Sequence, residues 1–284
     1  MPGSNTAGTA NTDDYNVGRG KVYAAELDSN GIPKSYRFLG NATEFNLSME
    51  TETLEHQSST GGLKVVDKEV VISQKVNLAL TLDEINFENM ALFFSGSVAS
   101  FDNSQASAAT PVSGTGNLVV DAQGRWYDLY QTASGIPTSD SSGDRIYDIG
   151  AVTISGATEG TDFTVDHKMG RIFVIEGSSN LTVVGSPYDL DIAQNSSAAS
   201  TVDEVRALTQ TTTTVALKFI SENPASGDHQ TEVQFHQVNL KAEGDFGLIS
   251  DEFTTMGLTG AAERNETAGG TASPTCTIRT HANA

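Results

Sequence analysis

The sequence predicts a mainly β protein, and three observations carry that reading. Runs such as "EFNLSMETETL" and "EVVISQKVNLALTL" place apolar residues at mostly even spacing, the period of a half-buried strand. Clusters of Gly, Asn, Asp and Ser separate the runs and signal turns. Only "NFENMALFFSG" has the spacing and end signals of a helix.

In chain order, residues 1–17, opening "MPGSNTAGTANTDDYN", are too poor in apolar residues to order themselves and read as a flexible arm. "KVYAAELDSNGIPKSYRFLG" is a hairpin turning through Asn30 and Gly31. In the next strand Phe45, Leu47 and Met49 point inward, while Glu44, Asn46, Ser48 and Glu50 point outward. A second long strand follows, with Val70, Ile72, Val76, Leu78 and Leu80 at mostly even spacing. The stretch between, "LEHQSSTGGLKVVDKEV", reads as a polar loop from Glu52 to Val66. Its centre is Glu55, His56, Gln57, Ser58, Ser59, Thr60, Gly61, Gly62 and Leu63.

For the helix, Asn86 is the N-cap, Ile85 and Met90 can staple across it, and Gly96 suits the position past the end. Phe87, Met90, Ala91 and Phe94 form one apolar stripe, which Leu92 and Phe93 widen. Such a helix is either sunk in its own core or shared with a neighbouring subunit. Residues 18–100 therefore form the first part of a β core.

From residue 101 the texture changes to short strands with frequent turns. "SFDNSQASAATPVSGTG" and "IAQNSSAASTVDE" read as linkers bounding an inserted small β domain at 101–199. Its clearest element is "TDFTVDHKMGRIFVIEG", a hairpin turning near Lys168 to Gly170. The alternative is that these strands extend the main sheets. Long strands return over 200–262, and 263–284, ending "PTCTIRTHANA", reads as a second flexible arm.

Composition narrows the function. Sixteen Lys and Arg against 36 Asp and Glu give a net charge of 16 − 36 = −20, which opposes binding to nucleic acid or an anionic membrane. One cysteine, Cys276, leaves no disulfide framework. No run approaches the roughly 20 apolar residues of a membrane span, and the N-terminus lacks the regions of a secretory signal. His56, His167, His229, His236 and His281 show no metal-ligand spacing and read as solvated surface groups. No calcium loop is complete and no phosphate-binding or nucleophile motif is present, so the reading is a non-enzyme without cofactor or metal.

The order of these elements carries a resemblance. A Gly-Arg-Gly opening at Gly18–Gly20, the strand–loop–strand from Glu44 to Leu82, the "NFENMALFFSG" helix and the late strands from about 213 to 262 together resemble the tail tube (major tail) proteins of long-tailed bacteriophages. The match covers roughly half the chain and no single motif is diagnostic. It implies a β-sandwich or barrel-like tail tube core with one short flanking helix. It also implies hexameric rings stacked into a hollow tube that conducts the genome into the host. Partners would be further copies of the chain and other tail proteins such as the tape measure, tail terminator and distal tail proteins. DNA would pass through the lumen without specific binding, and the protein would reside in the virion tail after assembly in the host cytoplasm. The loop around Glu55 to Leu63 takes the place of the family's inter-ring loop, and Glu44 and Glu50 are the candidate lumen acids. The other reading is a capsid decoration or adhesive virion protein that binds a host surface through the insert.

Overall fold

A computed structural model describes residues 18–58, 61–62, 64–103, 112–131, 137–139, 144–182, 187–193, 195, 198, 201–222, 230–270 and 273–281. The protein is mainly β. It divides into two compact units, Met1–Val98 with Val205–Ala284, and Ala99–Glu204. No helix among the described residues is long and apolar enough to cross a membrane.

The first unit opens with strands β1 (Gly20–Glu26), β2 (Arg37–Phe38), β3 (Ala42–Ser58) and β4 (Val65–Leu82), then helix α1 (Phe87–Phe93), after which strand β5 (Ser97–Asp102) leads into the second. The second unit contributes β6 (Val112–Leu118), β7 (Arg125–Asp128), β8 (Tyr130–Gln131), β9 (Pro137–Thr138), β10 (Asp144–Arg145), β11 (Val152–Ile154), β12 (Phe163–Asp166), β13 (Arg171–Val174) and β14 (Tyr188–Ile192). The chain closes with β15 (Thr201–Arg206), β16 (Thr213–Ser221), β17 (Gln230–Glu243), β18 (Met256–Ala262), helix α2 (Glu266–Gly269) and β19 (Cys276–His281).

One antiparallel sheet dominates the first unit, in the order β2-β1-β16-β17-β18-β4-β3, with β19 also paired to β17. The β1–β2 turn is built by Asp28, whose Oδ1 accepts from the N–H groups of Asn30 and Ile32, while Gly31 takes a positive φ of 78°. The sheet curls on itself. Phe45 on β3 lies four strands from Phe219 on β16, a gap of about 19 Å in a flat sheet. Yet their ring centroids are 5.8 Å apart, and Phe45 also meets Phe235 edge-on at 6.3 Å. The enclosed core runs through Val22, Leu39, Leu78, Leu80, Leu82, Leu217, Phe235, Val238, Leu240 and Leu258.

Helix α1 packs on β17 and β18. Asn86 caps it by accepting from the Asn89 N–H, a device worth about 1 kcal/mol. The buried face differs from the expected stripe: Ala91, Phe93 and Asn89 are buried, whereas Phe87 is 45% exposed. Asn89 explains the rotation, because its side chain donates to the carbonyls of Leu39 and Glu84 and accepts from Arg37, which ties that face inward. At the C-terminus Ser95, not Gly96, adopts the left-handed conformation, with φ of 47°. Gly96 donates to the Ala91 carbonyl and Ser95 to that of Leu92, a Schellman closure. Glycine is needed at 96 for space, since a Cβ there would strike the Arg206 carbonyl.

The C-terminal segment is no free arm, contrary to the reading of 263–284. Asn265 caps α2 through the Ala268 N–H and donates to the Gly31 carbonyl at 2.7 Å, and β19 pairs with β17 from Phe235↔Cys276 to Gln230↔His281. A sheet edge supplies backbone partners that a polar, β-branched run can use without much apolar area. The two expected linkers are also partly strand: Ser100–Asp102 and Val112–Gly116 of the first lie in β5 and β6, and Thr201–Glu204 of the second lies in β15, which pairs with β5.

The second unit has its own core of Leu118, Leu129, Ile154, Phe163, Ile172, Val174, Leu181 and Leu190, built from three-stranded sheets β11-β14-β6, β12-β13-β7 and β10-β8-β9. The β12–β13 hairpin forms at the expected place and buries Ile172 and Val174, leaving Phe173 on the outer face. Gly170 is required there, with φ of 57° and no room for a Cβ beside the Ile146 carbonyl. Asp162, buried, accepts from the Ser178 hydroxyl at 2.6 Å, the Asn180 amide and the Thr158 N–H. Those hydrogen bonds hold its carboxyl below the usual range.

Candidate functional site: an exposed β ribbon

The expected loop from Glu52 to Val66 is mostly strand. β3 and β4 pair from Ala42↔Leu82 through to Ser58↔Val65, so Glu55, His56, Gln57 and Ser58 are ladder residues. Gly61 and Gly62 lie in the turn, while Ser59, Thr60 and Leu63 fall outside the described residues. Polar side chains do not prevent pairing when each backbone group has a partner opposite, and β-branched Val65, Val66, Val70, Val71 and Ile72 favour the extended form.

Only the inner part of this hairpin is supported by a sheet. β18 pairs with β4 from Met256↔Leu82 to Ala262↔Val76 and then ends. The remaining eleven residues of β4, Val65 to Lys75, have β3 alone beside them and run up to roughly 36 Å past that edge. Exposure follows: on the core-facing side Leu80 is 1% exposed and Leu78 2%, but Leu47 is 46% and Met49 82%. Leu47 and Met49 lie on the expected face, opposite Leu78 and Val76, but the burial expected for them is overturned, because the core stops before it covers them. Beyond lie Leu54, Val65, Val66, Val70, Val71 and Ile72, all exposed. Two register shifts, at Glu52/Thr53 and His56/Gln57, twist the ribbon, and His56 Nδ1 meets Asp67 Oδ1 at 2.6 Å near its tip.

Glu44 and Glu50 are both exposed on the other side of β3. Their surroundings differ. Glu50 stands opposite Lys75, whereas Glu44 stands opposite Thr81 and accepts a hydrogen bond from Asn46.

At the opposite end of the sheet, a connection of twelve residues, 244–255, joins β17 to β18. "DEFTTMGLTGAAE" reads from the sequence as strand from its start, but β18 begins only at Met256. Three apolar side chains in this loop are almost fully exposed: Leu248 85%, Ile249 99% and Phe253 98%. The signal was present as apolar residues inside a Gly, Ser and Asp context, where no strand or helix period absorbs them.

A cleft of about 770 Å3 beside β1, α1 and β16 brings together Glu26, Lys34, Arg37 and Glu88, which neutralise one another at 3.5 Å (Lys34–Glu26) and 3.8 Å (Arg37–Glu88). Burial lowers the Arg37 pKa somewhat, without discharging it. Among the described residues no group of three or more His, Cys, Asp and Glu is placed to hold a metal. The surface reading fails for His236, which is 2% exposed with Nε2 against the Thr277 hydroxyl at 3.1 Å and Nδ1 unpartnered. It is covered where β19 pairs alongside β17 and α2 sets Gly269 against the ring.

No curated protein matches the chain in sequence. Over residues 15–274 it matches the model of one family, and the chain belongs to that family, described as "Protein of unknown function UCP028589".

Proposed function

We propose that this is a structural virion protein of a long-tailed phage, which polymerises as stacked hexameric rings into the tube that conducts the genome. The observation that carries the reading is the β3–β4 ribbon, which leaves Leu54, Val66, Val70, Val71 and Ile72 in water on an unsupported two-stranded projection. Isolated two-stranded ribbons are marginal, and apolar side chains displayed on one are the mark of a surface made for a partner. Each such side chain is worth about 1.5–3 kcal/mol when fully buried, so three or four seated against a neighbour supply a useful part of a subunit contact. The ring symmetry, the remaining tail partners and the lumen position of Glu44 and Glu50 come from the resemblance of the element order to tail tube proteins. The charge of −20 suits a conduit that DNA must traverse without sticking.

Purified protein examined by electron microscopy and light scattering over rising concentration gives six-fold rings and hollow filaments. A monomer at every concentration, or rings of another symmetry, overturns the reading. A second reading, adhesion through the second unit, draws on Trp126, 47% exposed, with the Arg171 guanidinium 4.4 Å from its ring centre and Phe173 beside it at 5.3 Å. Monomeric protein that binds host envelopes and loses this with Trp126→Ala would favour that alternative.

A further inference from the structure

The outer face of the β12-β13-β7 sheet carries two unlike rows of side chains. Register sets Thr164, Phe173 and Trp126 side by side across the three strands, with Asp166, Arg171 and Asp128 in the row next to them. The inner face of the same strands belongs to the core, where Phe163, Ile172 and Val174 are 1% exposed or less. Alternation therefore turns both rows outward. Trp126 is 47% exposed, with its ring 5.3 Å from that of Phe173 at an interplanar angle of 53°.

The polar row is held in a fixed geometry. Arg171 lies 4.4 Å from the Trp126 ring centre while its Nε donates to Asp166 Oδ2 at 3.0 Å, and Asp166 Oδ1 accepts from the Met169 N–H at 3.2 Å. Asp128 is paired with Arg145. These bonds orient the carboxylates and the guanidinium without using up their hydrogen-bonding capacity. The Arg171 and Asp166 side chains stay 35% and 27% exposed, so a ligand on the indole can reach them.

The chemistry of the two rows selects an occupant. A nucleic acid would stack its bases on such rings, but it would bring phosphates to a chain of net charge −20 and to a row in which two aspartates flank one arginine. An apolar protein surface would strip water from the ion pairs and offer no partners in return. A cationic ligand finds the indole already engaged by Arg171. A neutral sugar fits both rows, because its C–H face covers an aromatic ring while its hydroxyls donate to carboxylates and accept from a guanidinium. Three strands span roughly 10 Å, the length of about two linked hexoses, so a linear chain gains contacts that a single sugar does not.

We propose that the Trp126 face binds a linear chain of neutral hexoses, one ring stacked on the indole and the next hydrogen-bonded along Arg171 and Asp166. The proposal rests on the adhesion reading of this same site, names its ligand class and is indifferent to ring assembly.

Trp126 is the only tryptophan of the chain, so its emission reports the site without a label. Titrating the full chain with maltohexaose, cellohexaose and chitohexaose gives a saturable blue shift with at least one of them, half-complete at about 1 mM or below. Glucose and an anionic galacturonate oligomer bind about tenfold more weakly or not at all. Trp126→Ala, followed by calorimetry, and Arg171→Gln, followed by the same emission, each weaken binding about tenfold with the melting temperature unchanged. Emission unmoved by every neutral hexaose at about 10 mM overturns the proposal, as does parental affinity in either variant or tighter binding of the galacturonate oligomer. Envelope binding that Trp126→Ala abolishes, yet saturating hexaose does not displace, keeps adhesion and overturns the saccharide. Hexaose binding by a protein that binds no envelope supports the saccharide face and overturns the adhesion reading instead.

Discussion

His236 is a buried imidazole whose pKa is lowered, first by burial and then by the neighbouring Arg279 cation, so the folded protein holds it neutral. An unfolded histidine titrates near about 6.5. Below that value the unfolded state takes up a proton that the folded state refuses, so stability is constant above it and falls as pH drops toward the depressed folded value. The groups that meet the ring are Thr277 and Gly269, with Arg279 held to Glu232 at 3.4 Å, so β19 is the element that should loosen. The protection factors of the Cys276–His281 amides, which are exchange rates corrected for the pH dependence of the chemical step, are expected to fall as pH drops from about 7 to about 5, and His236→Gln to flatten that dependence. Equal protection at both ends of the range would show that the imidazole does not govern the segment. The two candidate lumen acids separate at the same scale. Glu50→Lys sets two lysines opposite each other at the ribbon's base and costs roughly 0.2–1 kcal/mol in melting measurements. Glu44→Lys, opposite Thr81, leaves stability nearly unchanged. If Glu44 lines the bore, that variant slows DNA ejection at low salt more than at physiological ionic strength, where screening acts over about 8 Å. Identical ejection at both salts would remove Glu44 from the path.

The ribbon is the element on which assembly depends, and its removal separates folding from polymerisation. Joining Thr51 to Gln74, which are already opposite each other, by an Asn-Gly turn deletes Glu52 to Ser73, a span with no buried residue among those described. The shortened chain is expected to keep its melting temperature to within a few degrees, equivalent to about 1 kcal/mol, and to remain unstacked. Filaments of normal length from it would make the ribbon passive. The strands themselves were legible: alternation at Phe45, Leu47 and Met49 and at Val76, Leu78 and Leu80 marks both of them correctly. What alternation could not reveal is where the core ends, because that is fixed by a distant strand. β18 is only seven residues long, so β4 has a packed neighbour from Val76 to Leu82 and none before it. For the same reason the polar tract from Glu52 to Val66 looked like a loop, when its backbone partners lie across a hairpin that composition does not display. In α1 the stripe was drawn from apolar spacing alone, and the hydrogen bonds of Asn89 decided the buried face. The loop at 244–255 is not legible in the sequence because Leu248 and Ile249 are the residue types of a strand, and only three-dimensional exposure distinguishes a displayed apolar side chain from a packed one.

At the scale of the whole molecule, two cores share one chain. Every residue of the first core precedes Val98 or follows Val205, and every residue of the second lies between them. The chain passes between the units through β5 and β15, which pair with each other, so its exit and re-entry points are neighbours in the ladder. A unit entered and left at one place adds little closure entropy to its host when excised, since the ends to be rejoined are already close. The ribbon and α1 both belong to the first unit, which holds everything the stacked-ring proposal uses. Replacing Ala99 to Glu204 by a short Gly-Ser linker is therefore expected to leave a cooperatively melting protein that still stacks, while the excised span melts as a domain on its own. If the shortened chain melts without a cooperative transition, the two cores are interdependent despite their separate residues. If it folds but forms no filaments, the second unit supplies part of the subunit contact, and the ribbon is not sufficient for it.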